Sequence, residues 1–181
     1  LHLCDRRQRQ MCIRDSTKPQ KEFPDPTPLT DYKLGDKAMG YLQKMTDLCK
    51  EKGVKLVLIK APTEYPYWYE QWDEQVQQFA DENDVDYINF IPLQNDIGLD
   101  MSQDTYDAGL HLNTTGAEKM ADYFGKYLVE NYNLTDYRND SEYASIWDKK
   151  EAAYDSMKQQ QYDELNKYGE LKSFGANAIQ N

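Results

Sequence analysis

The sequence has few basic residues and no long apolar run. Lysine and arginine number 21 against 32 aspartates and glutamates, so the formal net charge is −11. Nucleic-acid binding needs a basic surface, and this charge therefore argues against a nucleic-acid partner. No apolar stretch reaches the roughly 18 residues from which a membrane span can be inferred. The chain thus predicts neither a nucleic-acid-binding domain nor a membrane-spanning one.

Cysteine and histidine are equally scarce. Cys4, Cys12 and His2 fall within the first 16 residues, and only Cys49 and His111 follow them. A single cysteine after residue 16 excludes an intramolecular disulfide within that part of the chain. One histidine with nearby carboxylates and no second His or Cys is a thin ligand set for a metal. We therefore expect neither a metal nor a cofactor.

The first 16 residues resemble translated adapter DNA. Residues 6–16 read Arg-Arg-Gln-Arg-Gln-Met-Cys-Ile-Arg-Asp-Ser, which the end of a transposase-type sequencing-library adapter encodes in one frame. Such segments are excluded from fold reasoning, and we exclude residues 1–16. An adapter abuts a gene where a sequencing read begins, so we expect the natural N-terminal part to be missing and this chain to be a fragment.

Helix-like and strand-like stretches alternate along the central part of the chain. Four prolines within 17–30 predict an extended linker. Apolar residues at three- and four-residue steps predict helices over 31–52, 66–83 and 115–132. Short runs rich in β-branched residues predict buried strands over 54–59 and 85–90. This alternation predicts a parallel sheet with helices on both faces, in an α/β domain over 31–137.

Residues 138–181 differ from this domain in character. A long polar helix is predicted from about residue 141, with only a sparse apolar stripe that includes Trp147. We expect this helical tail to pack on the edge of the domain through Trp147, and residues 174–181 to fray. A partner-binding helix is the alternative interpretation.

The strongest chemical signal lies on the loop before the helix over 115–132. Asp104 and Asp107 precede His111, and Thr115 with Glu118 forms a capping-box pattern at the helix start. A carboxylate bonded to one imidazole nitrogen fixes the tautomer and leaves the other nitrogen as a general base. The spacing therefore suggests a catalytic pair, and a merely structural or surface histidine is the alternative.

Three segments carry a family resemblance that covers about residues 31–132. They are 55–63 (Lys-Leu-Val-Leu-Ile-Lys-Ala-Pro-Thr), 85–90 (Val-Asp-Tyr-Ile-Asn-Phe) and 107–117, which contains Asp-Ala-Gly-Leu-His-Leu-Asn. The chain resembles the C-terminal part of SGNH (GDSL-like) hydrolases, whose final block places Asp-x-x-His before a glycine-opened helix. The resemblance implies a three-layer α/β/α fold with a flavodoxin-like parallel sheet, N-terminally truncated here and followed by a helical appendage.

The resemblance also implies a serine esterase or acyltransferase that acts on acyl esters, often acetyl, of carbohydrate or cell-surface glycan. His111 matches the general base and Asp107 the acid that orients it. Asp107 stands four residues before the histidine instead of three, which leaves Asp104 as a rival acid. Family habit implies an extracytoplasmic or cell-surface location and, for some members, a membrane-bound acyltransferase partner.

Loops at the carboxyl ends of parallel strands are where such sheets bind ligands. The loop after the first strand and the histidine-bearing loop both fall there. We therefore expect substrate contacts from four residues: Thr63, Glu64, Tyr65 and Asn113.

The family's nucleophile and oxyanion block have no counterpart in the sequence. There is no Gly-Asp-Ser, and no serine after residue 16 follows an early apolar strand. Leu93 stands where the Gly-x-Asn-Asp block would need glycine before Asn95 and Asp96. We expect both parts upstream of residue 17, so the fragment should be inactive and its sheet should expose an unpaired edge.

A non-catalytic module on the same fold is the alternative function. Fifteen tyrosines and three tryptophans could hold a polysaccharide. A nucleotide or receiver domain is disfavoured because the chain has no phosphate-cradling glycine loop.

Overall fold

The computed structural model describes residues 22–169 and 172–173. The adapter-like segment 1–16, the start of the predicted linker and the predicted frayed end 174–181 lie outside these residues. Contacts divide the chain into two compact units, the first ending at Asp96 and the second beginning at Ile97. None of the described helices has the length and apolar character that crossing a membrane requires.

The first unit alternates helix and strand. Its elements are α1 (Asp36–Glu51), β1 (Val57–Lys60), α2 (Glu70–Asn83) and β2 (Asp86–Asn89). The two strands pair in parallel, with Val57 opposite Asp86 and Lys60 opposite Asn89. The predicted order and the parallel pairing are therefore confirmed.

Helix α2 begins four residues later than predicted. Pro66 suits the first turn of a helix, but Tyr69 is the residue before the helix and has extended backbone angles. Aromatic residues of this segment pack against one another at tilted or edge-to-face angles instead, with the ring centroids of Tyr65 and Tyr67 5.0 Å apart. The acidic residues Glu70 and Asp73 then occupy the first helical turn, where the helix dipole favours negative charge.

Within the described residues, the regular elements of the second unit are helices and one isolated β-bridge. A short turn, α3 (Gln94–Ile97), spans the boundary between the units, and α4 (Thr114–Asn131) and α5 (Ser141–Tyr168) follow. Asp140 caps α5 by accepting hydrogen bonds from two backbone N–H groups of the first turn. Gly169 ends α5 with φ of 72°, a left-handed conformation that suits glycine.

The described chain is thus a mixed α/β structure with five helices and a two-stranded parallel sheet. Its buried apolar residues include Phe79, Ala80 and Phe90 in the first unit, and Ile97, Met101 and Ala108 in the second. A three-layer arrangement would require more strands and stays a prediction.

Several apolar residues of the predicted helices and strands are exposed. Leu48 on α1 is 54% exposed and Ile59 on β1 is 50% exposed, because two short strands cover little of the apolar surface that a larger sheet would bury. On α4, Ala117 and Ala121 are exposed as well. Trp147 is 62% exposed, so the prediction that it anchors the tail helix is wrong.

The tail helix packs through polar contacts instead. The carboxylate of Glu118 on α4 accepts hydrogen bonds from Tyr154 Oη at 2.9 Å and from Lys158 Nζ at 2.6 Å. Burial and this carboxylate raise the pKa of Tyr154 to about 12. These contacts hold the middle of α5 against α4.

Candidate functional site

Residues 105–112, hereafter the histidine loop, close into a ring. Thr105 and Leu112 form an isolated antiparallel bridge, and the N–H of Tyr106 donates to the carbonyl of His111 at 3.2 Å. Inside the ring, the Thr105 hydroxyl accepts the N–H of Gly109 at 2.9 Å and donates to the Met101 carbonyl at 2.6 Å. The loop is therefore fixed by its own hydrogen bonds.

The histidine loop brings His111 and Asp107 together. His111 Nδ1 lies 2.6 Å from Asp107 Oδ2, and the backbone N–H of His111 donates to Asp107 Oδ1 at 2.7 Å. Ala108 and Gly109 lie between them with φ of 67° and 97°. These two left-handed residues turn the chain back, so an acid four residues before the histidine can still reach its ring.

This arrangement leaves His111 accessible to a reactant. Its side chain is 66% exposed, whereas that of Asp107 is 22% exposed. The rings of Tyr106 and His111 stack with centroids 5.8 Å apart. Because the carboxylate engages Nδ1, Nε2 is the imidazole nitrogen that can exchange a proton with another molecule.

Asp104, the rival acid, contacts Lys119 instead of His111. Its side chain is 2% exposed, and its Oδ2 lies 2.6 Å from Lys119 Nζ. The same oxygen accepts the backbone N–H of Asp100 at 2.8 Å. Asp104 thus fixes the chain entering the histidine loop onto α4.

Asn113 caps α4, so the prediction of a capping box at Thr115 and Glu118 is wrong. Asn113 Oδ1 accepts the N–H of Gly116 at 3.1 Å, and its Nδ2 donates to the carbonyl of Gln103 at 2.7 Å. The residue is 1% exposed, so its amide is used inside the protein and not at a surface where substrate binds. Asn113 and Thr115 are both residue types that can cap a helix. Asn113 takes the cap position, and its buried amide also bonds to Gln103.

Gly116 permits a close approach of α4 to the chain before the loop. A Cβ at this position would overlap the carbonyl oxygen of Asp104 and come within 3.1 Å of the Leu112 side chain. Only glycine fits such an approach without a shift of backbone. In the sequence, this glycine stood out only through the family resemblance. The overlap gives the physical reason why glycine is needed at this position.

Thr63, Glu64 and Tyr65 belong to the first unit, on the loop after β1. Thr63 Oγ1 accepts the N–H of Tyr65 at 3.1 Å, and the carbonyl of Thr63 accepts Gln94 Nε2 at 3.4 Å. Tyr65 is 50% exposed. Hydrogen bonds therefore shape this loop and leave the Tyr65 ring at the surface.

Asp73 is the centre of a polar cluster that was not predicted. Its Oδ1 accepts hydrogen bonds from Trp68 Nε1 at 3.0 Å, Tyr87 Oη at 2.5 Å and Asn89 Nδ2 at 2.9 Å. Burial opposes ionisation of Asp73, but the three donors outweigh it and hold its pKa below the ordinary value. Burial and Asp73 together raise the pKa of Tyr87.

A signal for this cluster was present in the sequence. Tyr87 and Asn89 stand two residues apart on one strand, and such residues point to the same face. Lys60 lies beside the cluster, with its Nζ 5.2 Å from the centroid of the Trp68 ring. Burial lowers the pKa of Lys60.

Within the described residues, no group of three or more His, Cys, Asp or Glu side chains is arranged to hold a metal ion. No protein-family model matches the chain, and neither a curated protein nor a solved structure matches it. A function can therefore be inferred only from the geometry of the chain's own residues.

Proposed function

We propose that this chain supplies the histidine and the acid of an SGNH-type serine esterase or acyltransferase. Its substrates would be acyl esters, acetyl esters above all, of carbohydrate or cell-surface glycan. The observation that supports the proposal is the 2.6 Å contact between His111 Nδ1 and Asp107 Oδ2. The proposal includes the three-layer α/β/α fold, an extracytoplasmic location and a membrane-bound acyltransferase as partner.

The proposed mechanism is a double displacement. A serine hydroxyl attacks the ester carbonyl while His111 Nε2 accepts its proton, and the alcohol leaves after receiving that proton. Water or a sugar hydroxyl then attacks the acyl carbonyl while His111 accepts its proton; the bond between the acyl group and the serine oxygen breaks, and that oxygen receives the proton back from His111. In this scheme the serine and the oxyanion donors come from sequence upstream of residue 17.

Asp107 is the orienting acid in this proposal. One of its oxygens accepts the backbone N–H of His111 while the other contacts the imidazole. Two contacts to one residue limit rotation of the ring, which is the role that such an acid has beside a catalytic histidine. The ring of hydrogen bonds around the histidine loop limits movement of the backbone as well.

A carbohydrate-binding module is the second candidate, and the aromatic segment after β1 favours it. Ring contacts run from Tyr65 to Tyr67, from Tyr67 to Tyr69, and from Tyr69 to Trp72, with centroids between 4.8 and 6.4 Å apart. Aromatic side chains combine an apolar face with a polar group. The half-exposed Tyr65 ring offers such a face to a sugar.

The test is to recover the complete reading frame across residues 1–17, express the whole protein and assay p-nitrophenyl acetate and acetylated xylan. We expect His111→Ala to lower kcat/KM by about 10³-fold or more, with Asp107→Asn also strongly impaired. Tyr168→Phe, a change at the exposed C-terminal end of α5, should leave the rate unchanged. Because His111 is mostly exposed, thermal melting should be the same in the His111 variant.

Two results would overturn the esterase proposal. One is full hydrolysis by the His111→Ala protein, and the other is a complete gene without a serine block. Binding of deacetylated xylan without hydrolysis, lost in Tyr65→Ala and kept in His111→Ala, would establish the second candidate instead.

A further inference from the structure

An open groove of about 720 Å³ lies on the second unit, between one face of α4 and the segment that follows it. Ala121, Gly125 and Val129 line its helical side, and Leu134 and Tyr137 line the other. The three helical residues are four positions apart and so form one stripe, about 12 Å long. Val129 is 70% exposed and Leu134 is 56% exposed.

A second groove of about 520 Å³ extends this surface onto α5. It shares Tyr137 and Arg138 with the first and adds Ala144 and Trp147. Together the two grooves form one elongated apolar surface, hereafter the α4–α5 groove. Exposed apolar patches rimmed by polar residues are candidate interaction sites in soluble proteins.

The rim of the α4–α5 groove is negatively charged. Lys126 pairs with Asp122 and Arg138 pairs with Asp136, each at 2.7 Å, so these four charges cancel. Three further lining carboxylates, Glu130, Asp148 and Glu151, have no ion-pair partner within residues 22–169. The groove therefore combines an apolar floor with a rim of net negative charge.

Trp147 adds a preference for cations. The Nζ of Lys150 lies 4.6 Å from the centroid of the Trp147 ring, so this exposed indole already binds an ammonium group on one face. A lysine or arginine of a partner could make the same contact.

We propose that the α4–α5 groove binds a basic amphipathic α-helix of another protein. Such a helix would place apolar residues at i, i+4 and i+7 along the stripe of α4, and lysines or arginines beside the acidic rim. The formal net charge of −11 disfavours a second copy of this chain, and the acidic rim disfavours an anionic membrane. The proposal does not depend on the esterase assignment.

The probe is a fluorescein-labelled 18-residue peptide of leucine and lysine with helical periodicity, and its control is the same peptide with glutamate for lysine. Gly125→Leu fills the floor of the groove, where a Cβ would meet no atom within 4 Å. Gly40→Leu is the matched control, because Gly40 lies inside α1 with equally open space. Trp147→Ala is a second variant, at an exposed position where loss of folding is not expected.

We expect the lysine peptide to bind the full chain with micromolar Kd, measured by fluorescence anisotropy. Gly125→Leu should weaken binding at least tenfold and Trp147→Ala about fivefold, with Gly40→Leu unchanged. Neutralising Glu130, Asp148 and Glu151 to their amides should also weaken binding and reduce its dependence on salt.

Three results would overturn the proposal. The first is equal affinity of the wild-type, Gly125→Leu and Trp147→Ala proteins for the lysine peptide, and the second is equal binding of the glutamate peptide. The third is a different occupant of the groove. This would be a concentration-dependent dimer in sedimentation, or binding to phosphatidylglycerol vesicles, that both groove variants abolish.

Discussion

Gly116 on α4 faces the carbonyl oxygen of Asp104 so closely that a side chain at this position would overlap it. The neighbour is backbone and cannot rotate away. Gly116→Ala should therefore lower the free energy of unfolding in urea by about 1–3 kcal/mol. Gly125→Ala, on the same helix with open space around it, should instead raise that free energy by up to about 1 kcal/mol. Equal effects of the two changes would show that α4 does not approach Asp104 in this way.

The helix cap provides a second prediction. Asn113→Ala removes the acceptor of the Gly116 N–H and leaves the carbonyl of Gln103 without its amide donor. We expect a loss of about 1–2 kcal/mol in the free energy of unfolding. Thr115→Ala should change it by less than about 0.5 kcal/mol. A larger loss at Thr115 than at Asn113 would restore the capping box as the start of α4.

The ion pair between Lys119 and Asp104 provides a third prediction. Lys119→Met leaves a carboxylate that is only 2% exposed without its charged partner, and should cost about 2–3 kcal/mol of unfolding free energy. Adding Asp104→Asn should recover part of this loss, and a double-mutant cycle measures the coupling. Lys126→Met, which breaks the pair with Asp122 on the same helix, should cost less than about 1 kcal/mol, since both side chains there are 69% exposed. Additive effects at Lys119 and Asp104 would contradict the pairing.

The Asp73 cluster predicts a dependence of stability on pH. The pKa of Asp73 is lower in the folded protein than its ordinary 3.8. Its contribution to stability should therefore be complete above that ordinary value and be lost as the pH falls through the folded pKa. Tyr87→Phe removes one hydrogen-bond donor and therefore raises the pKa of Asp73 in the folded protein. The free energy of unfolding should then fall less steeply as the pH is lowered below 4. Tyr41→Phe, an exposed change on α1, should keep the wild-type slope, and a Tyr87→Phe curve parallel to it would refute the linkage.

Local patterns in the sequence predicted the order of the elements. Helix α4 was expected over 115–132 and spans Thr114–Asn131, since three- and four-residue spacing is a property of the segment itself. The start of α2 was wrong because the aromatic residues after Pro66 pack on one another. Trp147 was expected to pack on the edge of the domain because it belongs to the sparse apolar stripe of the tail helix, and whether a surface covers it depends on contacts that spacing does not report.

In the candidate site, too, local contacts could be predicted from the sequence and contacts between distant segments could not. His111 and Asp107 are four residues apart, so their contact could be expected from the loop itself. The pairing of Asp104 with Lys119 joins a loop to a helix fifteen residues later, and it depends on the path of the chain between them. Asn113 was expected at a substrate surface because the sequence gives no measure of its burial.

The histidine loop has a consequence for protein engineering. The hydrogen bonds of the bridge that closes it join Asn113 to Asp104 and Tyr106 to His111, and the bonds that fix Asp107 on His111 lie within it. The loop is therefore a compact segment that contains the acid, the base and most of the hydrogen bonds that hold them in place. A host protein would need to supply a capped helix whose first turn contains a glycine and a carbonyl to accept the Thr105 hydroxyl, and the imidazole–carboxylate pair could be transplanted as one piece.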